Sequence, residues 1–226
     1  MLILGDGLLG SELVKQSGLD YISRKKDNFD INNISLLIDK RLPNIIINCI
    51  ANTDTYSKEK DNHWNVNCVF LDNLIDYCNL NKIKLIHVST DYIYAGSVSN
   101  ANETDVPVHC NNWYGYTKLV GDALVQLRAH EHLIIRCTHK PIPFPYDSAW
   151  INQIGNFDYV NVIASLIIEL IKTGVTGVYN VGTDTKTMYE LAMRTIPSVG
   201  KSFVPEYVPR DQSMNVMKMK SVITNI

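Results

Sequence analysis

A doubly wound parallel α/β fold is the architecture that this sequence predicts, and three observations carry the prediction. Short β-branched and apolar runs alternate with stretches whose apolar residues recur at helical spacing, the pattern of successive βαβ units. A glycine-rich turn joins the first such run to the first helix. The bulk composition, 46% hydrophobic and 19% charged over 226 residues, is that of a globular chain able to bury one sizeable core.

The elements follow in order. Met1 to Leu4 is an apolar run that ends at a glycine cluster, and Leu8, Leu9, Leu13 and Val14 then mark one face of a helix. Tyr21-Ile22 is a second brief strand. Ile31, Ile34, Leu36, Leu37 and Ile38 form an apolar helix face, and Ile45-Ile46-Ile47 is a run of the kind buried on both sides in a parallel sheet. A long helix is expected over about 61–80, with Val66, Val69, Phe70, Leu74 and Tyr77 on one side. Lys84 to Val88 is the next strand, 114–128 a helix and Leu133-Ile134-Ile135 a strand. Beyond Arg136 the character changes: Pro141, Pro143 and Pro145 interrupt any regular element, because proline lacks the amide donor and restricts its predecessor. A helix at 160–172, a strand from Gly177 to Val181 and a short helix at 187–194 complete the chain. This tail reads as a small lobe on the sheet's carboxyl edge, where open α/β sheets bind ligands.

Several classes are excluded. A net charge of -2 leaves no basic footprint for nucleic acid. No long uncharged apolar run predicts a membrane span, and the first residues reach a glycine too soon for a signal peptide. Five scattered cysteines without a Cys-x-x-Cys pair suit neither a zinc ribbon nor a disulfide framework, so reduced thiols in a cytoplasmic protein without a metal are expected.

Gly5-Asp6-Gly7-Leu8-Leu9-Gly10 is a Gly-x-Gly-x-x-Gly segment placed after a strand and before an amphipathic helix, the context that makes it a dinucleotide phosphate turn. The opening amides and positive dipole end of that helix suit a pyrophosphate. After the second strand the chain reads Ser23-Arg24-Lys25-Lys26, with no acid to bind a ribose 2′-hydroxyl, so NADP is expected in preference to NAD. Tyr114 and Lys118 stand four residues apart on one predicted helix face. An unperturbed tyrosine has a pKa of about 10, and a neighbouring ammonium favours its phenolate, so the couple can interconvert a carbonyl and an alcohol. Ser89-Thr90-Asp91-Tyr92, at a strand end, supplies a hydroxyl for the same oxygen.

With these motifs in view, the chain resembles the extended short-chain dehydrogenase/reductase superfamily, and within it the dTDP-4-dehydrorhamnose reductase branch. The matching segments, in order, are Gly5 to Gly10, Asn48 to Ala51, Asn65-Val66-Asn67, Ser89 to Tyr94, Glu103-Thr104-Asp105 and Tyr114 to Asp122. Ile134-Ile135-Arg136, Gly177 to Val181 and Asp211 to Asn215 continue the match. The resemblance implies a Rossmann-type doubly wound sheet, with 1–136 as the NADP-binding domain that carries the catalytic residues. Residues 137–226 would be a shortened substrate-binding lobe plus sheet-completing elements. Thr90, Tyr114 and Lys118 would be the catalytic set. The cofactor would meet Gly5, Gly7, Leu8, Leu9, Gly10, Ser23, Arg24, Asp30, Ile31, Cys49, Ala51, Asn67 and Ser89 as well as Tyr114 and Lys118. Asp91, Tyr92 and Arg210 would face the substrate.

The implied reaction is NADPH-dependent reduction of a 4-keto group on a nucleotide-linked deoxy-sugar. The related dehydratases carry a glutamate where Tyr92 stands, so elimination lacks its base. Two rivals are an NADP-binding regulatory subunit of another enzyme and a sugar-nucleotide epimerase or bifunctional epimerase–reductase. Homodimers are common in the superfamily. The chain is short between Arg136 and Asp158, where relatives place much of the sugar lobe. Lys140 is read as solvated, and His87 and His139 as structural histidines.

Overall fold

The computed structural model describes residues 1–29, 34–105 and 112–223. Along the chain run β1 (Leu2–Leu4), α1 (Leu8–Ser17), β2 (Asp20–Ile22), α2 (Arg24–Asp27), α3 (Ile34–Asp39) and β3 (Ile45–Asn48). Then come α4 (Lys60–Trp64), a π-helical turn at Asn65–Val69, α5 (Phe70–Leu80), β4 (Lys84–Thr90) and a 3-10 turn at Asp91–Tyr94. These are followed by α6 (Trp113–Arg128), β5 (His132–Cys137), β6 (His139–Lys140), β7 (Ser148–Trp150), β8 (Ile154–Gly155), β9 (Asp158–Tyr159) and α7 (Val160–Lys172). The chain closes with β10 (Gly177–Asn180), β11 (Lys186–Thr187), α8 (Met188–Met193), β12 (Gly200–Ser202), β13 (Asp211–Gln212) and α9 (Met217–Lys220).

Six strands form the main sheet in the order β10-β5-β4-β3-β1-β2. β1 pairs in parallel with both β2 and β3, Leu2 standing opposite Asp20 and Ile46, and β3 pairs in parallel with β4. The strand order reverses between β1 and β3, the switch point at which such sheets bind ligands beyond their carboxyl ends. The Rossmann-like α/β fold expected from the sequence is therefore present, and the apolar runs of β1, β3 and β4 are buried as parallel strands require.

The chain divides into two compact units. One comprises Met1–Ser89, Asn111–Ile135 and Val175–Val178; the other comprises Thr90–Cys110, Arg136–Gly174 and Tyr179–Ile226. The first unit packs Leu2, Leu4, Ile22, Ile46, Phe70, Leu74, Leu85, Val125 and Ile134 into one apolar core. The second unit has its own cluster, which includes Phe144, Ala149, Phe157, Tyr159, Met188, Leu191 and Val199. The second unit also holds a buried polar network: Arg136 Nη1 donates to the Tyr94 hydroxyl (2.5 Å) and to the Glu103 carbonyl (3.1 Å). Tyr94 in turn donates to Asn180 Oδ1 at 2.9 Å.

Helix α6 carries the Tyr114–Lys118 couple, and its start is fixed by a cap. Asn112 Oδ1 accepts from the Gly115 amide (2.9 Å), while its Nδ2 donates to the Thr55 carbonyl (2.6 Å). Further along, a Cβ at Gly121 would lie 3.0 Å from the Asn67 carbonyl, tighter than ordinary contact, so glycine eases the close approach of α6 to the π turn. In that turn the Asn67 side chain accepts from Asn52 N (2.8 Å) and donates to Asn52 O (3.1 Å) and Thr117 Oγ1 (3.0 Å). One amide thus ties α6 to the loop that follows β3.

Candidate active site

The glycine turn meets each steric demand of a phosphate-binding loop. Gly5 has φ +96°, a region side chains rarely enter, and its amide donates to Ile22 O at 2.9 Å. A Cβ at Gly10 would lie 2.1 Å from the Gly5 carbonyl oxygen, so helix and turn touch backbone to backbone. At Gly7, by contrast, a Cβ would meet nothing within 4 Å. That open space lies at the first residue before α1, a ten-residue helix with no acid in its first turn. Leu9 is buried against the core while Leu8 is exposed.

Past β2, Ser23 is fully buried and caps α2, its hydroxyl accepting from Lys26 N at 3.0 Å. Its own amide donates to Asp27 Oδ2 (3.0 Å), and Asp27 pairs with Arg41 at 2.7 Å. Lys26 and Arg41 also neutralise Asp20, whose pKa the Lys26 hydrogen bond lowers. The acids near the strand end are therefore engaged. Arg24 is exposed, and its guanidinium makes no hydrogen bond or ion pair among the described residues. Asp30 and Ile31, expected beside the adenine, lie outside the described residues.

Lys118 is 2% exposed, and Nζ donates to the Val88 carbonyl at 2.8 Å and lies 3.1 Å from His87 Nε2. The other His87 ring nitrogen lies 3.2 Å from Asn48 Nδ2. Burial holds the His87 pKa well below the usual histidine range. Burial also pushes the thiols of Cys49 and Cys68 up to about 12 and about 11, so both stay protonated at neutral pH. Tyr114 is half-buried one turn before Lys118, its ring centroid 6.3 Å from that of the buried His63. The hydroxyl of Ser89, in the same unit, is buried without a hydrogen-bond partner among the described residues. An orphaned hydroxyl and the open space at Gly7 are what a dinucleotide would satisfy and fill.

In the second unit, Thr90 caps the 3-10 turn, its hydroxyl accepting from Tyr92 N at 3.2 Å and standing 3.3 Å from Asp91 Oδ1. Asp91 is fully buried; Oδ1 also accepts from the Thr138 hydroxyl, and Oδ2 has no partner. Burial raises its pKa against the pull of Thr138, Thr90 and Lys140. Lys140 ends β6 half-buried, and desolvation lowers its pKa against the Asp91 charge, so the expectation of a freely solvated lysine does not hold. Tyr92 is half-buried and Arg210 exposed. Among the described residues no group of three potential ligands could hold a metal ion, and no helix is long and apolar enough to cross a membrane.

The RmlD substrate binding domain model matches residues 1–139, more than half of the chain, from the glycine turn through Thr138. The chain belongs to the RmlD substrate-binding domain family. It is 27% identical to the dTDP-4-dehydrorhamnose reductase of Aggregatibacter actinomycetemcomitans, over 92% of this chain and 82% of that protein. It is 26% identical to the spore coat polysaccharide biosynthesis protein SpsK of Bacillus subtilis (strain 168), over 71% of this chain and 56% of that protein. This RmlD family member thus spans little more than half the length of that relative. The crystal structure of the dTDP-4-dehydrorhamnose reductase from Bacillus anthracis str. Ames in complex with NADP has the same fold. Its TM-score is 0.83 at 22% identity, with 100% of this chain and 94% of that one covered.

Of the predicted positions, the first unit holds the glycine turn, Ser23, Arg24, Cys49, Ala51, Asn67, Ser89, Tyr114 and Lys118; the second holds Thr90, Asp91, Tyr92 and Arg210. Two groups in the candidate site escaped the sequence reading: Asn48 as a partner of His87, and His87 as a neighbour of Lys118. The period-two alternation of β4 puts His87 on the face opposite Val88, but it does not say which helix crosses that face.

Proposed function

We propose that this chain catalyses the NADPH-dependent reduction of a 4-keto group on a nucleotide-linked deoxy-sugar, as a dTDP-4-dehydrorhamnose reductase-like oxidoreductase. The reading rests on the RmlD family membership, on the named reductase relatives, and above all on one observation: a buried Lys118 amine one turn from Tyr114. NADPH when bound supplies the hydride. Gly5, Gly7, Leu8, Leu9 and Gly10 hold the diphosphate against the α1 amides, and Ser89, Cys49, Ala51 and Asn67 line the nicotinamide side. Arg24, a guanidinium with no carboxylate partner among the described residues, would meet the 2′-phosphate and select NADP over NAD, with Ser23 holding the turn that presents it.

In the proposed step Tyr114 donates its hydroxyl proton to the developing alkoxide, so ketone, hydride and proton sum to the alcohol. Thr90 exchanges its long 3.3 Å contact with Asp91 for a hydrogen bond to the same oxygen, preorganised by its cap on the following turn. Tyr92 and Arg210 are proposed to contact the sugar nucleotide, and Asp91 to hold Thr90 and Thr138 beneath it. The test is NADPH oxidation with dTDP- and UDP-linked 4-keto-6-deoxy-sugars, wild type against Tyr114→Phe. Turnover that the variant loses by about a hundredfold or more supports the assignment. NADPH binding without oxidation of any of these substrates would overturn it in favour of a non-catalytic subunit.

A further inference from the structure

One buried titratable group in the first unit has no part in the chemistry above. His87 is 2% exposed and bridges Asn48 and Lys118, and the direction of every hydrogen bond in that chain can be worked out from its far end. The Ile50 amide donates to Asn48 Oδ1 at 3.0 Å, which fixes the orientation of the Asn48 amide. Its Nδ2, which can only donate, then faces His87 Nδ1 at 3.2 Å, so Nδ1 accepts. A neutral imidazole with an accepting Nδ1 carries its proton on Nε2. That N–H points at Lys118 Nζ, 3.1 Å away.

An N–H aimed at an ammonium is donor against donor. The contact is a hydrogen bond only if Nζ offers a lone pair, while one of its own hydrogens goes to the Val88 carbonyl at 2.8 Å. Protonating the imidazole instead would set a second N–H against the Asn48 amide. We propose that Asn48 and His87 are positioning residues which hold Lys118 as a neutral amine in the cofactor-free protein.

The groups around Lys118 come from several elements. β4 brings His87 and the Val88 carbonyl, the residue after β3 brings Cys49, and the π turn brings Cys68. Both thiols are protonated at neutral pH and supply no anion. On its own helix stand Tyr114 one turn before and Asp122, the carboxylate of the set, one turn after.

The consequence for turnover rests on the reductase reading. Tyr114 gives its proton to the alkoxide, and Lys118 takes one from solvent before its ammonium can stabilise the phenolate left behind. The rate therefore falls as pH rises through the Lys118 pKa, and the Asn48–His87 chain sets where that fall lies.

Asn48→Asp inverts the chain. A carboxylate still accepts from Ile50 N–H, but it draws the imidazole proton to Nδ1, so Nε2 becomes an acceptor for an ammonium. The test is NMR on cofactor-free protein, with 15N-histidine to read the His87 tautomer and 13C-lysine to titrate Lys118, assigned through His87→Gln and Lys118→Arg. The wild type is expected to show the Nε2–H tautomer, and Lys118 to titrate about one pH unit or more higher in Asn48→Asp and in His87→Gln. The alkaline limb of kcat should move upward by the same interval. An Nδ1–H tautomer in the wild type, or an unmoved Lys118 titration in a folded Asn48→Asp, would overturn the proposal; a purely structural role would lower Tm without moving either. The NMR arms need no substrate, so absence of turnover would count against the reductase reading alone.

Discussion

Gly7 and Gly10 belong to one motif, yet alanine at each should fail differently. At Gly10 the new Cβ would stand 2.1 Å from the Gly5 carbonyl oxygen and 3.0 Å from its carbonyl carbon. Normal contact is near 3.4 Å or more, and both partners are backbone in a tight turn, so the clash can be relieved only by parting α1 from β1. Overpacking of this kind costs about 1–3 kcal/mol, and a rigid backbone neighbour puts Gly10→Ala at or beyond the upper end. At Gly7 the backbone is extended (φ -63°, ψ -174°) and nothing lies within 4 Å, so alanine fits. The only folding cost is that of a poorer helix cap, at most about 1 kcal/mol. The same methyl group, however, fills the space a diphosphate needs. Urea unfolding and NADPH titration on both variants separate the effects: Gly7→Ala should lose at most about 1 kcal/mol of stability and weaken NADPH binding about tenfold or more, whereas Gly10→Ala should unfold markedly earlier. Gly7→Ala binding NADPH as tightly as wild type would refute the phosphate-turn argument.

Three further outcomes follow from the geometry. Arg24→Ala should weaken NADPH by about tenfold, the loss of a charge-assisted hydrogen bond, and leave NADH unchanged; equal effects on both cofactors in fluorescence titrations would remove Arg24 from the 2′-phosphate. Burial holds the His139 pKa at about 4, so below the ordinary value of about 6.5 the unfolded chain takes up a proton that the folded one refuses. Stability is then full above about pH 6.5 and falls towards pH 4, by as much as about 3 kcal/mol from this residue. His139→Gln should flatten that fall in urea unfolding at pH 7 and pH 4.5; parallel curves would contradict it. Tyr94→Phe strips Arg136 Nη1 and Asn180 Oδ1 of one partner each and should cost about 1–3 kcal/mol in the same assay, with a loss under about 0.5 kcal/mol counting against the network.

The sheet was legible because its signals are local. The runs at Leu2–Leu4, Ile45–Asn48 and Lys84–Thr90 need no partner to be recognised, and the helix expected over 160–172 has the bounds seen in α7. The stretch at 61–80 is helical as expected, but it is not uniform. The π turn at Asn65–Val69 depends on tertiary contacts of Asn67 and on the close passage of Gly121, which periodicity does not encode. The apolar cluster of the second unit was the least legible feature. Phe144, Ala149, Phe157, Tyr159 and Leu191 come from separate short elements, and no window of the sequence shows a repeating face.

Within the candidate site the sequence marked the residues proposed to carry chemistry but not those that hold them. Gly5 to Gly10, Tyr114 and Lys118 form spacing motifs. The Asn48–His87–Lys118 chain joins two strands and a helix and has no spacing to detect. Asn152 and Gln153 likewise serve the scaffold, their polar ends spent on Val204 N (2.8 Å) and on Pro209 O (3.1 Å) and Gln212 Oε1 (3.3 Å). The half-buried Lys140 was misread because its burial follows from β6 pairing with β9, a two-residue contact invisible beside three prolines.

The most direct test of the central claim is the fate of the hydride. NADPH deuterated at both C4 positions of the nicotinamide would be incubated with a dTDP-linked 4-keto-6-deoxy-sugar, and the sugar analysed by NMR and mass spectrometry. One deuterium at the sugar C4 for each NADPH consumed is the predicted result, and Tyr114→Phe should abolish it. A sugar that is unchanged, or isomerised with the deuterium still on the cofactor, would contradict the reductase account.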